Sequence, residues 1–382
     1  MGSMTSRERA LAALRWEKPD CVPYFEQGVA SNVASEVLGR KALTGGGGFR
    51  RDGVEAAMRG SDAYEEYLER HIRDWGDLAE ACDFDVVTPA WHGGGAATKK
   101  TDEHTYLFGD LDGDWEVQRH SPESDTFYTI DSNVRHEGLA AIERRVQAAK
   151  GWAEEERDPG RFRVLEMYID RFKGRRAVAG GAGIAVPMSA PWLEAMRTRT
   201  DLIEDYLDAT TRLACQDIAD QARIGVDLIW GGGDLATNFG PIYSPADFRR
   251  FVLPRLKMMV KACHENGLTY FFRTDGWVWP IAGMLFEESG ADGYGEIDAQ
   301  AGMDMAEIRK RFPRLMLWGN VDCAGALVKG TPEDVAAETR SCIDKAAGAG
   351  GYFCGSSNVI HSGIPAANFL AIGQTCREYG YY

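Results

Sequence analysis

The chain has 382 residues, 44% hydrophobic and 26% charged, with a formal net charge of −15. That balance suits a globular protein with a large core, and the negative charge argues against nucleic acid and anionic membrane surfaces as partners, both of which reward a basic face. Cysteines stand at 21, 82, 215, 263, 323, 342, 354 and 376 with no C-x-x-C pair, the pattern of a reducing compartment rather than of a disulfide framework. No apolar run is long enough to span a bilayer and no charged-then-apolar leader precedes the first helix, so the expected location is cytoplasmic.

Residues 1–4 read as a cloning remnant, and 5–382 as a single barrel domain. In chain order, strand-length apolar runs appear at "VPYFEQ" (22–27), "FDVVTPAW" (84–91), "RAVAGGAGIAV" (176–186), "VDLIWGGGDL" (226–235), "TYFFRTDG" (269–276), "ADGYGEID" (291–298), "LMLWGNVD" (315–322) and "GYFCGSS" (351–357). Helical segments lie between them. One is announced by Ser244 and Pro245 and closed at Gly267, another by Thr331 and Pro332. "LTGGGGFRRDG" (43–53) reads as a flexible loop, without the strand–loop–helix setting of a phosphate cradle. Residues 93–175 read as an insertion. Within it, 100–131 alternate polar and apolar around "DLDGD" and "SPESD", which predicts antiparallel hairpins, and two helices follow at about 136–149 and 158–173. Continuous apolar strands joined by helices imply a parallel sheet buried on both faces, and eight of them predict an α/β fold: a (β/α)8 TIM barrel with an antiparallel hairpin insertion after strand 2.

In such barrels the site lies at the C-terminal ends of the strands. Those ends read Glu26-Gln27, Trp91-His92, Asp234, Arg273-Thr274-Asp275, Glu296, Asn320-Val321-Asp322-Cys323 and Ser356-Ser357-Asn358, leading to His361. A single polar strand end usually caps the next helix, and that reading covers Asp322 or Asn358. Seven on one rim favour a site. The expected catalytic groups are Asp275, Glu26 and Glu296. Arg273, Asp234, Asn238, Asn320, Trp91, His92 and Trp277 are expected to bind substrate, with the tryptophans forming walls suited to a flat molecule. A guanidinium beside a carboxylate suits a substrate carboxylate or phenolate.

Four stretches, "SRERALAALRWEKPDCVPYFEQG", "GGGDLATNFGPIYSPADFRRFVLPRLKMMV", "GNVDCAGALVKGTPEDV" and "GGYFCGSSNVIHSGIPAANFLAIGQTCREYG", resemble the uroporphyrinogen decarboxylase superfamily over nearly the whole chain except 93–175. The likeness is to its methyltransferase-like members, and it implies a (β/α)8 barrel. The heme-pathway decarboxylase carries an arginine-rich "RQAGR"-type motif after the first strand, whereas this chain reads "YFEQGVASN" there. Without that basic clamp an octa-acid substrate such as uroporphyrinogen is not expected.

The methyltransferase branch usually reads "H-S-D-G" where this chain reads Arg273-Thr274-Asp275-Gly276. Many of its members bind zinc and pass methyl groups to or from a corrinoid protein. Arginine cannot ligate a metal, so a zinc ion would have to be held by Asp275, Glu296, Cys323 and His361. The resemblance therefore implies an enzyme moving a methyl group from a small methoxylated or methylated substrate to a corrinoid protein or thiol. The alternatives are a metal-free decarboxylase of a small aromatic or aliphatic acid, with Arg273 on the carboxylate, and a non-catalytic binding protein. A homodimer would use helices or the insertion, since a closed barrel has no free edge.

Overall fold

The computed structural model describes residues 4–90, 95–155, 157–172 and 174–382. Trp91 and His92, expected to bind substrate, lie outside the described residues. Among those described, no helix is long and apolar enough to cross a membrane.

Each of the eight apolar runs contributes one parallel segment. After residues 24–25 come β1 (Val86–Val87) and four strands of a separate sheet: β2 (Lys99–Lys100), β3 (Thr105–Gly109), β4 (Trp115–Ser121) and β5 (Thr126–Ser132). The main sheet resumes with β6 (Ala177–Gly180) and β7 (Leu228–Gly232). A short hairpin, β8 (Ala236–Thr237) and β9 (Gly240–Pro241), precedes β10 (Thr269–Arg273), β11 (Gly293–Gly295), β12 (Met316–Trp318) and β13 (Tyr352–Phe353). The main sheet runs β1-β6-β7-β10-β11-β12-β13, with parallel pairing throughout. Its two edges meet through the first segment, where Phe25 bridges Val86 and Tyr24 bridges Cys354, both in parallel. The sheet thus closes on itself.

Alternation along these strands divides the side chains into two layers. Phe25, Val86, Ala177, Ala179, Leu228, Trp230, Phe271, Met316, Trp318 and Phe353 fill the barrel. Trp230 and Trp318 meet edge to face at 5.0 Å, a favoured aromatic geometry. Room for these rings comes from β11: a Cβ on Gly293 would lie 2.4 Å from the Phe271 ring, and one on Gly295 2.5 Å from Trp230. The alternate set, including Tyr24, Ile229, Tyr270, Phe272, Tyr294, Leu317 and Tyr352, packs outward with the helices.

Aspartates tie the starts of the strands to their neighbours. Asp85 accepts the Tyr24 N–H at 2.7 Å, Asp227 that of Val178 at 2.9 Å and Asp292 that of Tyr270 at 2.8 Å. Asp85 also meets Arg9 at 2.6 Å and Arg377 at 2.7 Å. A buried carboxylate is tolerated there because its charge is paired and its lone pairs are used.

Between β1 and β6 the chain forms the antiparallel sheet β2-β3-β4-β5 and then helices Asn133–Glu137, Leu139–Trp152 and Arg163–Phe172. The glycine-rich stretch at 43–53 is not a free loop, as the sequence suggested. A helix, Gly47–Arg59, starts inside it. The β4–β5 turn docks on its first residues: Gly47 N–H donates to the Asp125 carbonyl at 2.7 Å and Gly48 N–H to the Asp125 carboxylate at 2.6 Å. A Cβ on Gly47 would stand 2.6 Å from the Asp125 backbone, so this close approach requires glycine.

Candidate active site

Strand β10 sets the floor of the barrel mouth. Phe271 points into the barrel, so by alternation Arg273 and Asp275 do too, while Thr274 faces outward and its hydroxyl accepts the Leu235 N–H at 3.0 Å. Gly276, with φ of +78°, then turns the chain beneath the β8–β9 hairpin, where a Cβ would meet the backbone of Ala236 and Thr237 at 2.8 Å. Trp277 N–H donates to the Thr237 carbonyl at 2.9 Å, and the half-buried Trp277 ring packs beside Gly240. Asn238 and Phe239 form the hairpin tip. Both are exposed, Phe239 to 94%.

Glu296 would face outward by alternation from Gly295. Its backbone instead adopts φ of +61°, a left-handed conformation rare for a residue with a long side chain. The turn brings its carboxylate to Arg273, 3.4 Å away, and to Gln27 Nε2, which donates at 2.6 Å. Glu296 is 4% exposed. Burial pushes its carboxyl above the usual range, and the Arg273 guanidinium opposes that shift.

Gln27 joins the elements. Its Oε1 accepts from Trp230 Nε1 at 3.0 Å, and its Nε2 also reaches Asn358 Oδ1 at 3.2 Å. Asn358 Nδ2 donates in turn to Asp275 Oδ2 at 3.3 Å. Asp275 is half buried, and its carboxyl is raised above its ordinary value, first by burial and then by the charges of Asp234 and Asp298. A carboxyl of raised proton affinity, a cation and amide donors are thereby gathered at one rim.

Sequence reasoning placed Glu26, not Gln27, in this site, and strand parity corrects it. Phe25 faces inward, so Gln27 does as well, while Glu26 points behind the wall. It is fully buried there, accepting the Ser356 N–H at 3.1 Å. Asn320 is likewise committed elsewhere: its Nδ2 donates to the Ile297 carbonyl at 3.2 Å, and its Oδ1 faces the Cys342 thiol on helix Pro332–Ala346. Both side chains are engaged by internal hydrogen bonds. Asn358 and Gln27 are the residues that the reading undervalued, and counting alternate positions from Phe25 would have found Gln27.

The expected metal ligands do not assemble. His361 spends one ring nitrogen on the Cys323 carbonyl at 3.2 Å and the other on the Gly363 N–H at 3.2 Å. Cys323 is buried, its thiol pushed up to about 11 by desolvation, and its sulfur accepts the Asn358 N–H at 3.2 Å. Among the described residues no three His, Cys, Asp or Glu side chains form a group that could hold a metal ion. The donor set inferred for zinc therefore does not fit. A cavity of about 540 Å³ lined by Trp16, Thr269, Asp292 and Met316 lies at the other end of the barrel, where the strands start, away from these groups.

Residues 183–379 match the family model described as uroporphyrinogen decarboxylase (URO-D). The chain belongs to the uroporphyrinogen decarboxylase family. Among solved structures, a methyltransferase from Methanosarcina mazei is similar over 99% of both chains, with a TM-score of 0.63 and 17% identity. A B12-independent methionine synthase from Shewanella sp. W3-18-1 is 9% identical over 83% of this chain and 90% of its own, with a TM-score of 0.46. No curated protein matches the chain. The URO-D match begins after the antiparallel insertion and includes β10 through β13, so Arg273, Asp275, Glu296 and Asn358 all fall within it, while Gln27 does not.

Proposed function

We propose that this URO-D family member is an enzyme that moves a methyl group from a small methoxylated or methylated substrate to an external nucleophile, a corrinoid carried by a partner protein or a thiol. The observation that carries the reading is the pairing of roles on one strand end: Arg273 and Asp275 face the same mouth, one a fixed cation and the other a carboxyl biased toward its neutral form by burial and acidic neighbours. The fold is shared with the methyltransferase from Methanosarcina mazei, which supports the reading, while family membership is compatible with both methyl transfer and decarboxylation.

In the reaction the methyl carbon forms a bond to the acceptor as the carbon–oxygen bond breaks, and the electron pair of that bond stays on oxygen. An alkoxide or phenolate is a poor leaving group unless protonated. Asp275, half exposed and biased toward its protonated form by burial and its acidic neighbours, supplies that proton and regains one from solvent. Arg273 forks onto an anionic end of the substrate. Gln27 and Asn358 hold Glu296 and Asp275 against rotation, so the acid meets the oxygen in one orientation. The acceptor supplies the nucleophile, and this chain supplies binding, orientation and the proton.

A decarboxylase would use the same pair differently, with Arg273 on the scissile carboxylate and Asp275 protonating the carbanion left behind. One experiment separates the two. The purified protein is incubated with a panel of small methoxylated acids and reduced cobalamin, with methylcobalamin and carbon dioxide both monitored. Methylated cobalamin supports the proposal, and carbon dioxide without methyl transfer overturns it in favour of the second reading.

A further inference from the structure

Glu26 is a carboxyl with no exposure to solvent, displaced from the site that it was expected to serve. Its two oxygens have different surroundings. Oε1 accepts the Ser356 N–H at 3.1 Å, and Oε2 is in contact with the Ser356 hydroxyl. That hydroxyl also contacts the backbone carbonyl oxygen of Asn358. A serine hydroxyl has one hydrogen, yet it stands between two oxygens. The Asn358 carbonyl can only accept, so if the serine hydrogen goes there, the contact with Oε2 needs a hydrogen from Glu26. The arrangement matches a neutral acid: carbonyl oxygen toward the amide, hydroxyl toward the serine.

We propose that Glu26 is a neutral carboxylic acid that donates to Ser356 and so fixes the turn bearing Asn358, and through it the orientation of Asp275 in the barrel mouth. The chain of bonds runs from Glu26 to the Ser356 hydroxyl, to the Asn358 backbone, and from the Asn358 amide to Asp275. Glu26 is a positioning residue. The titratable groups facing it are Tyr24 on its own segment, Cys82 after helix Ser61–Ala81, and Cys323 after β12. Burial pushes all three up, Cys82 to about 12 and Cys323 to about 11, so each is neutral at physiological pH and offers no positive charge to a Glu26 carboxylate. Burial accordingly pushes Glu26 itself up to about 8.

The discriminating variant is Glu26→Gln, because a carboxamide reproduces the neutral acid, with its oxygen for the Ser356 N–H and an amide hydrogen for the serine hydroxyl. Hydrogen exchange of segment 356–361 at pH 7 is expected to stay slow in the wild type and in Glu26→Gln, and to quicken in Glu26→Ala and Ser356→Ala. Above about pH 8, exchange in the wild type should rise beyond its intrinsic pH dependence while Glu26→Gln does not follow. Fast exchange in Glu26→Gln at pH 7 would overturn the proposal, because it would mean that a carboxylate is required. Glu26→Gln and Ser356→Ala keep the test intact if Glu26→Ala fails to fold. These arms use the protein alone. A further arm rests on the methyl-transfer reading: kcat should fall about tenfold in Glu26→Ala, the scale of one lost hydrogen bond, and be recovered in Glu26→Gln with KM unaltered. Slow exchange together with no methyl transfer would sink the reading of the reaction and leave the role of Glu26 standing.

Discussion

Asn358 holds Asp275 from across the mouth of the barrel, its Nδ2 donating to the carboxylate at 3.3 Å while its Oδ1 is engaged by Gln27 at 3.2 Å. The bond favours the charged form of Asp275, whereas burial and the neighbouring Asp234 and Asp298 favour the neutral one. Asp275 thus sits between opposing influences, and substitutions around it should tune its proton affinity in known directions.

Asp275→Asn keeps the volume and removes the transferable proton. The expected loss in kcat is roughly 10²–10⁴-fold, the usual contribution of a general acid, with substrate affinity little altered. Steady-state kinetics on the methyl-transfer assay measures this, and a loss of under threefold would exclude Asp275 as the acid.

In the proposed mechanism the protonated form of Asp275 is the active one, so kcat should fall as pH rises through its raised value. Asp234→Asn removes a like charge that favours the neutral form, and should move that alkaline limb to lower pH. Asn358→Ala removes a bond that favours the charged form, and should move it to higher pH. Shifts in the same direction for both variants would contradict the assignment of the limb to Asp275.

Arg273→Lys retains a positive charge but not the planar fork. Binding of an anionic substrate should weaken by roughly 1.5–3 kcal/mol, the scale of hydrogen bonds to charged groups. Calorimetric titration against an uncharged analogue provides the control, for which the loss should vanish.

Glu296→Gly should separate stability from activity. The left-handed backbone costs a side-chain-bearing residue about 1–2 kcal/mol that glycine does not lose, and a buried carboxyl is removed as well. Thermal unfolding should therefore show a stability equal to or above that of the wild type, while activity drops because Arg273 and Gln27 lose their partner. A large drop in Tm would mean that Glu296 is structural rather than held at a cost for function.

Parity explains most of what the sequence revealed and what it hid. Arg273 and Asp275 were legible because they continue the inward register of Phe271 past the end of the apolar run, and polar residues there need a reason. The same rule applied to Phe25 selects Gln27, but a carboxylate draws the eye more than an amide does. Glu296 lies beyond parity altogether, since only its left-handed backbone turns it inward. The docking of Asp125 on Gly47 joins residues far apart in sequence, and glycines alone do not say what approaches them. Helix boundaries fared better, because capping is local: Ser244 accepts the Asp247 N–H at 3.1 Å, and Thr331 forms a capping box with Asp334. Even there Pro254 intervenes. Its missing N–H is accompanied by a π-helical turn over Phe248–Val252, and Arg255 donates to the carbonyls of Arg250 and Phe251 at 3.3 and 3.0 Å.

The ring of strands is joined at a single seam, where Tyr24 meets Cys354 and Glu26 meets Ser356, 330 residues further along the chain. During synthesis the first segment therefore waits for its second neighbour. At about 5–20 residues per second, that interval is roughly twenty seconds to a minute. Throughout it, Tyr24 and Phe25 have an unpaired edge and Glu26 lacks the serine that satisfies it. Translation speed and chaperone access over this interval should therefore influence the yield of native protein.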